Sequence, residues 1–522
     1  MPGTLNNQTV TYKEKLSARG VNSTYSKLFG DIHNHNAMGY GVGSLERSIE
    51  VARGHLDFFA FTGHSSWHDM KAMEGGRENH WLNGFEVLRN GWPRVQNLIA
   101  DANRDGEFAA YLGFEWHSSR FGDQCVVFPD DHQPMAYPDH IRDLRKFCVE
   151  KNALMIPHHL AYPRGERGVN WDEFDGCCTP VVEIFSEHGN SEEDRGNPTF
   201  FNHSLGGRQT ANTARIGLGR GLKFGFVASS DSHNAFPGAY GEGLLGVLAA
   251  DLSRGAIMEA INNRHTWALT GDRIEVDFTV DGVVMGSAVE TGASIEVGYD
   301  VQGRDEMDVV ELIQDGRIVH RAHPDPQVSL DEAMAAKFQI RLEWGWGPWG
   351  DLALERICDW SFALKIHDGR LLRAFPCLQS GPFVEERRHC VEQTSESTLS
   401  IQSYSGRKGA YRQNPNQSVI LELEGSARTT LDLHMTAPSE QRSNSRVGEL
   451  FVGSDNMRTG DFPKENYQWH RLVPAAASRV SGKVNLDAGS LDAGRGRSNI
   501  YLRARQFNGH NAWASPVFMN YD

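Results

Sequence analysis

The stretch Leu28-Phe29-Gly30-Asp31-Ile32-His33-Asn34-His35 decides how we interpret the fold. An apolar pair leads into Asp-x-His-x-His, and the glycine-rich residues 36–43 follow, a pattern typical of a short strand that ends at an open loop. Alternate strand residues face the same side, so His33 and His35 point the same way. Neutral imidazoles are common metal ligands, and the pair therefore indicates one metal position. An isolated His-x-His is more often a surface or core pair, so the interpretation depends on the rest of the chain.

Five further apolar runs also end in potential ligands. Their ends read Thr62-Gly63-His64, Gly113-Phe114-Glu115-Trp116-His117, Pro157-His158-His159, Glu183-Ile184-Phe185-Ser186-Glu187-His188 and Ser229-Ser230-Asp231-Ser232-His233. Strands of an α/β barrel place their catalytic groups at one shared mouth, where their carboxyl ends meet. The six runs therefore predict an α/β barrel over residues 1–272, with its histidines and carboxylates gathered into one cluster.

Composition and charge exclude several classes of protein. The chain has 522 residues, and 52 Lys and Arg against 67 Asp and Glu give a net charge of −15, which argues against nucleic acid as the main partner. No apolar run reaches the roughly 18 residues of a membrane span, and the first residues lack the basic and apolar regions of a signal peptide. We expect a cytoplasmic protein without a membrane partner. The seven cysteines form no CxxC pair, which favours reduced thiols.

The pattern changes after residue 272. Short alternating runs such as residues 274–280, 309–313 and 418–423 are separated by Asp-Gly and glycine-rich turns, which predicts antiparallel β structure over 273–522. The polar stretch 393–416 is the best candidate for a link between two β units. Of the 22 histidines, 15 precede residue 272, so metal chemistry is expected in the first half.

These motifs resemble the polymerase and histidinol phosphatase (PHP) superfamily. Asp-x-His-x-His, Thr-x-His, Gly-x-Glu and Ser-Asp-Ser-His match its pattern, and Ile-Pro-His-His and Thr-x-Ala-x-Thr-Gly-Asp-Arg are similar to a branch with a β-rich C-terminal region. The resemblance implies an α/β fold, a distorted (β/α)7 barrel followed by a sandwich-like β region. It also implies two or three divalent ions, with zinc, manganese and iron all compatible, and hydrolytic, often phosphoesterase, activity.

The resemblance also assigns ligands by position. One ion would be held by His33, His35, Glu115 and Asp231, with Glu115 bridging to a second ion on His158 and a further site on His64 and His233. Two departures are present. Residues 36–43 hold no acid or imidazole for a third ion, and Asp123 stands where related sequences tend to have histidine. Asp123 can still ligate as a carboxylate, and His117 is the alternative.

A metal pair makes hydroxide from water near neutral pH, so no protein nucleophile is needed. We expect Asp231 or Glu115 to orient that hydroxide, and His159 or His188 to protonate the leaving group. An anionic small-molecule substrate would need cationic donors, for which the candidates in loops are Arg120, Arg164, Arg167 and Arg208.

Three functions stay open from the sequence. The first is a phosphoesterase acting on a small soluble phosphate ester, and the second uses the same metal cluster on an amide, lactone or ester. The third is a non-catalytic binding protein whose β region recognises a ligand. Convergence of two or more Arg or Lys side chains on the metals would favour the phosphoesterase. The oligomeric state is not predicted.

Overall fold

The structure is a computed structural model that describes residues 25–198, 207–292, 294–325, 330–331, 334–348, 352, 355, 357–380, 383–406, 416–487 and 497–521. The N-terminal residues on which the prediction of a leaderless, cytoplasmic chain rests lie outside this part. None of the described helices combines the length and the apolar composition needed to cross a membrane.

In the first half, the apolar runs of the sequence form short buried strands. The elements are β1 Ser26–Asp31, α1 Leu45–His55, β2 Phe58–Ala60, β3 Gly63–Trp67, α2 Asn79–Ala102, β4 Ala109–Tyr111, β5 Gly113–His117, β6 Gln124–Val127, α3 Ile141–Glu150, β7 Leu154–Pro157, β8 Val181–Ser186, β9 Gly189–Asn190, α4 Ala214–Gly219, β10 Gly225–Ala228, β11 Leu244–Ala249, α5 Arg254–Asn262 and β12 Thr266–Leu269. The helices cover the strands through apolar stripes. In α2 the buried stripe runs through Phe85, Leu88, Val95 and Ile99, and each such side chain stabilises the fold by roughly 1.5–3 kcal/mol.

The predicted (β/α)7 barrel is not confirmed, although the fold is of mixed α/β type. β1, β2 and β4 pair in parallel, as do β3 with β5 and β8 with β10. However, β6 runs antiparallel to β5 and β7, and β11 runs antiparallel to β1 and β12. Only residues 118–123 join β5 to β6. A parallel pair needs a crossover of a dozen or more residues, so this short connection imposes the antiparallel pairing.

The segments that follow β1 and β10 lie side by side. The amide of His35 donates to the carbonyl of Ser232 and the amide of Asp231 to the carbonyl of His33, both at 2.8 Å. Asp31 ties them together, because its buried carboxylate accepts from the hydroxyl of Ser230 and the amide of Gly238. Asp231 itself has a φ of 55°, in the left-handed region that favours glycine. Such local strain is tolerated where the surrounding contacts fix the backbone.

The second half is built almost entirely of strands. They are β13 Glu275–Val280, β14 Val283–Val284, β15 Ala288–Thr291, β16 Ser294–Gln302, β17 Met307–Gln314, β18 Arg317–Ala322, β19 Ala336–Trp346, β20 Ile357–Cys377, β21 Cys390–Ser395, β22 Thr398–Gly406, β23 Gln417–Ala437, β24 Gln441–Arg446, β25 Asp455–Arg458, β26 Asn466–Trp469, β27 Val473–Pro474, β28 Arg479–Asp487, β29 Arg497–Gln506, β30 Asn511–Ala514 and β31 Val517–Tyr521, with helix α6 Val447–Val452. Nearly all these strands pair antiparallel, and the β-rich character of 273–522 agrees with the sequence pattern.

One eleven-stranded sheet crosses the predicted boundary at 272/273. Its order is β15-β31-β29-β30-β12-β11-β1-β2-β4, with β17 attached to β29 and β18 attached to β17. β12 from the first half pairs with β30 from the chain end, placing Trp267 opposite Ala514. A shared hydrophobic core accompanies this pairing, since Phe29 and Leu312 belong to one buried cluster. The halves therefore fold against each other, and their division stays a prediction from sequence.

The described part of the stretch 393–416 lies largely in strands, and a division of the β region there stays a prediction. Residues 390–406 form the hairpin of β21 and β22, at the edge of the nine-stranded sheet that also contains β20 and β23. Its polar residues fit an edge position, because outward-facing side chains of such strands are solvated. Residues 407–415 lie outside the described part.

Asp272 fastens the junction between the halves. Its buried carboxylate accepts hydrogen bonds from the side chains of Tyr240, Arg341, Gln506 and Asn508, at 2.7–3.1 Å for the shortest contact to each. Burial by itself raises the pKa of this carboxyl, but nearby His510 and Arg341 and the hydrogen bonds hold it well below its usual range. Asp272 therefore stays ionised inside the protein.

A second buried carboxylate, Glu275, makes folding stability depend on pH. Arg304 and Arg373 both donate to its Oε1, and the ammonium of Lys27 lies 3.9 Å from its Oε2. Burial opposes ionisation, but these cations outweigh it and lower the pKa from 4.5 to about 2. A depressed carboxyl pKa stabilises the fold above the unfolded value and loses that effect as pH falls through the folded value.

Glu275→Gln is therefore expected to lower the free energy of unfolding at pH 7, by about 3 kcal/mol if the whole shift is expressed. The difference from the wild type should shrink as pH falls from 4.5 towards 2. Denaturant titrations of both proteins at several pH values measure it. A difference that stays constant down to pH 3 would contradict the assigned cause.

Candidate metal centre

Ionisable side chains from six strand ends meet in one buried cluster. Each of its core members exposes 7 % or less of its surface: His33, His35, His64, Glu115, His117, Asp123, His158, His159, His188 and Asp231. His33 and His35 follow β1, His64 and Glu115 lie on β3 and β5, and Asp231 follows β10. The strand ends named from the sequence thus reach a common centre.

The His33, His35 and Asp231 side chains form the tightest group. Oδ1 of Asp231 lies 3.2 Å from Nε2 of His33 and 2.9 Å from Nε2 of His35. Oε2 of Glu115 lies 3.9 and 3.5 Å from the same two nitrogens. Candidate ligand atoms of the first three residues all lie within 4.8 Å of one another, a spacing that could hold a metal ion.

Glu115 stands between that group and two others. Its Oε1 lies 2.8 Å from Nε2 of His158, while its Oε2 lies 3.3 Å from Nε2 of His64. One carboxylate therefore faces imidazoles on both sides, the position that a bridging ligand occupies. His64 forms a further group with His35 and His233, whose rings lie 3.8–5.1 Å apart. His233 is the half-exposed member.

Asp123 lies at the edge of the cluster, and both of its oxygens have partners. Oδ2 accepts from Arg167 Nε at 2.6 Å, and Oδ1 accepts from the amide of Ser118. His117 Nδ1 lies 3.2 Å from both Asp123 and Glu115. Asp123 still belongs to a possible metal group with Glu115, His158 and His159. Its pKa is low because, against the effect of burial, Arg167 and His117 favour the charged form.

The solvent side of the cluster is formed by His188, Glu187 and His233. His188 Nε2 lies 2.9 Å from Oδ2 of Asp231, and His188 Nδ1 lies 3.0 Å from the hydroxyl of Tyr162. His159 Nε2 lies 3.5 Å from the same oxygen of Asp231, deeper in the protein. Burial and then the charge of Asp231 raise the pKa of Glu187, which favours a protonated carboxyl at the mouth.

The donor set fits divalent cations. Among the described residues, several buried ligand atoms have no hydrogen-bond partner: Nε2 of His33 and His117, Nδ1 of His35, His64 and His159, and Oε2 of Glu115. Leaving such atoms unpaired costs about 1–3 kcal/mol each, and a bound cation removes that cost. Imidazole and carboxylate ligands suit zinc, manganese and iron.

The pKa values of three imidazoles and one carboxyl agree with this interpretation, whereas, against the effect of burial, Asp231 holds the pKa of His33 and Cys125 and Glu115 hold that of His158 well above the usual range. Burial lowers the pKa of His35 to about 3 and holds those of His64 and His159 well below the usual range, so their lone pairs are free to ligate. Burial raises the pKa of Asp231, but His33 and the hydrogen bonds from His188 and His35 outweigh it, so the carboxyl is ionised.

Of the four arginines predicted to bind substrate, the structure brings only Arg167 to the cluster. Arg167 is buried against Asp123 and His117, with its guanidinium 5.1 Å from the Trp67 ring. The other three have partners elsewhere: Arg120 lies over the Phe121 ring, Arg164 pairs with Asp172, and Arg208 donates to the carbonyls of Asp194 and Gly196. The expected convergence of several cations is therefore absent among these four.

Two neighbours of the ligands carry a clear structural role that sequence alone did not assign. Glu183 Oε2 lies 3.0 Å from Nδ1 of His33, which turns Nε2 towards Asp231. Cys125 Sγ lies 3.6 Å from Nδ1 of His158 and orients Nε2 towards Glu115. Their positions inside the apolar runs of β8 and β6 are the only signal in the sequence.

Glu183→Ala is expected to weaken divalent-metal binding by about 10–100-fold, because partners that orient a ligating imidazole contribute on that scale. Glu183→Gln keeps one acceptor oxygen and should lose less. Competition with a chelator, followed by metal analysis of the protein, measures both. Equal metal affinity in Glu183→Ala and wild type would show that His33 needs no such support.

The chain is similar to curated proteins over less than half of its length. No protein-family model matches the chain. An uncharacterised protein of Chlamydia trachomatis is 29 % identical over 255 residues, which are 44 % of this chain and 41 % of that protein. A second, from Chlamydia muridarum, is 28 % identical over 255 residues, with the same shares. The chain thus spans about two fifths of the length of the curated relatives it matches.

One solved structure is similar over most of the chain. It is a two-domain protein from Bacteroides vulgatus containing a predicted PHP-like metal-dependent phosphoesterase, with 13 % identity, a TM-score of 0.32, and coverage of 81 % of this chain and 96 % of that one. A TM-score of 0.32 does not establish a shared fold. The residues of the buried cluster therefore have to indicate the function by themselves.

Proposed function

We propose that the chain is a metal-dependent hydrolase with two or three divalent ions around Glu115 and Asp231. The observation that carries this proposal is the convergence of buried imidazole and carboxylate ligand atoms, which in several groups lie within 4.8 Å of one another. His33, His35, Asp231 and Glu115 would hold one ion, Glu115 and His158 a second, and His64 with His233 or His117 a third. A divalent ion bound there lowers the pKa of water and neutralises charge that develops on the substrate.

The side chains around the ligands would orient the reaction. Asp231 and Glu115 place ionised oxygens beside the attacking water, and His188 is the best-placed proton donor, since it lies next to Asp231 at the solvent side. His159 contacts the same carboxylate from within. Glu187, whose Oε1 lies 3.7 Å from Nδ1 of His233 at the solvent side, would be a further proton donor.

For the substrate we propose a small soluble phosphate ester. A cluster of cations buried among imidazoles and carboxylates favours an anionic substrate, and phosphoryl oxygens are strong ligands of such ions. The resemblance to the PHP superfamily points to the same chemistry.

Hydrolysis at a carbon centre is the second candidate, and one observation favours it. Arg167 is the only predicted substrate-binding arginine at the cluster, and its charge is taken up by Asp123. A phosphate dianion would therefore depend on the metals for nearly all its charge compensation. An amide, lactone or ester needs no such cations.

A substrate panel distinguishes these proposals. The chain is stripped with a chelator, reloaded separately with Mn²⁺, Zn²⁺ or Fe²⁺, and assayed on phosphate monoesters, phosphodiesters, amides, lactones and esters. We expect metal-dependent turnover of phosphate esters. Turnover confined to the carbon-centred substrates would replace the phosphoesterase by the second candidate. A chain that binds no stoichiometric metal and turns over nothing would leave a binding protein.

A further inference from the structure

A cavity lies at the end of β10 that is opposite to the metal centre. It has a volume of about 420 Å³ and is lined by the end of α4, the turn between β17 and β18, and strands β29 and β31. Residues 219–223 of its lining precede β10, whereas Asp231 follows β10. The strand alone spans about 13 Å. None of the described residues of the metal centre lines this cavity, so the two sites are separate.

The charge of this cavity is opposite to that of the protein. Arg215, Arg220, Lys223 and Arg497 line it against one carboxylate, Asp315, in a chain with a net charge of −15. The carboxylate of Asp315 already accepts hydrogen bonds from the hydroxyl of Ser498 and the amide of Asn499. The cavity therefore carries an excess of positive charge.

Two of these cations have fixed partners and two do not. Arg215 pairs with Glu193 and donates to the carbonyl of Gly316, and Arg220 pairs with Asp172. No ion pair joins Lys223 or Arg497 to another residue in the described part of the chain. The guanidinium of Arg497 lies against Gly221, where a Cβ would come within 2.7 Å of Nη2. Glycine at this position, with φ of 81°, lets the guanidinium lie close to the backbone.

The floor of the cavity is apolar. Phe518 and Leu218 are buried beneath it, and the Lys223 ammonium lies 5.8 Å from the centre of the Phe518 ring. Small-molecule sites have volumes of about 300–1,000 Å³ and combine apolar walls with a few polar groups that fix orientation. The cavity has a volume in this range, and its lining combines apolar side chains with charged ones.

We propose that this cavity binds a small organic anion. Lys223 and Arg497 hold its phosphate or carboxylate group, and its apolar body packs on Phe518 and Leu218. Arg215 and Arg220 add positive potential at the rim. This site is additional to the proposed hydrolytic centre and does not depend on it.

Calorimetric titration with benzylphosphonate and, separately, phenylacetate tests the proposal and distinguishes phosphate-like from carboxylate ligands. Phosphonate is used because the proposed hydrolase cannot cleave its carbon–phosphorus bond. We expect saturable binding of at least one probe by the metal-loaded full chain. Lys223→Gln/Arg497→Gln should weaken it at least tenfold, because two charge-assisted contacts are lost.

Two controls locate the binding. Lys337→Gln/Arg458→Gln removes the same charge at exposed positions on β19 and β25 and should leave the affinity unchanged. Glu115→Gln alters the metal centre, so it removes any binding of the phosphonate to the metals and should leave in place the binding that Lys223 and Arg497 support. The proposal is overturned if neither probe binds saturably, if the Lys223 and Arg497 double variant binds like wild type, or if Glu115→Gln alone abolishes binding.

Discussion

Glu115→Gln is expected to remove most of the bound divalent metal and to lower metal-dependent hydrolysis by about 10³-fold or more, since bridging carboxylates stabilise both ions and the transition-state charge. Glu115 contacts the His35, His64, His117 and His158 imidazoles together. The amide keeps the size of the side chain and loses its charge. Metal analysis and turnover on the best substrate of the panel give the result.

Glu311→Gln is the matched control for this variant. Glu311 is also buried, but it lies on β17 in the second half and pairs with Arg321 and Arg503, not with residues of the metal centre. We expect it to lose stability and to retain metal and turnover. Circular dichroism verifies that both proteins fold. Normal metal content in Glu115→Gln would refute the assignment of Glu115 as a shared ligand.

Asp272→Ala is expected to lower the free energy of unfolding by about 3–5 kcal/mol, the usual cost of removing one partner from a buried ion pair. The change leaves the Arg341 guanidinium and the amides of Gln506 and Asn508 buried without their acceptor. The denaturant midpoint should fall accordingly, with metal content unchanged at low denaturant.

Asp172→Ala provides the comparison for this second experiment. Asp172 also pairs with two arginines, Arg164 and Arg220, but all three are exposed, so solvent screens their interaction. Its midpoint should stay close to that of wild type. An equal loss in both variants would mean that the Asp272 network adds nothing beyond an ordinary surface ion pair.

The sequence predicted the strand ends better than the architecture. Each apolar run that ended in His, Glu or Asp forms a buried strand, because burial of such runs is decided locally by composition and length. The predicted closed barrel is not confirmed, because closure of a barrel depends on which strands pair and in which direction. The short connection through residues 118–123 makes β6 antiparallel to β5. In the same way, β11 runs antiparallel to its neighbour β1.

The site shows the same limit. The paired imidazoles of His33 and His35 are visible in the sequence because only Asn34 separates them. Arg167 lies 44 residues from Asp123, its partner, and Glu183 lies 150 residues from His33. Contacts of that separation depend on the tertiary fold, so the sequence could not identify Asp123 as the partner of Arg167, and the substrate-binding role of Arg167 stays a prediction. The ligand roles themselves stay predictions until metal is measured.

The pairing of β12 with β30 limits how this protein can be divided or exchanged. A fragment that ends near residue 272 would leave the edge of β12 open, with backbone donors and acceptors free to recruit other chains. A fragment that begins after residue 272 would lack β12, so the edge of β30 that pairs with β12 would be exposed. Recombination that swapped one half between homologues would have to preserve both edges at once, so residues 25–272 and the β-rich second half are constrained to be inherited together.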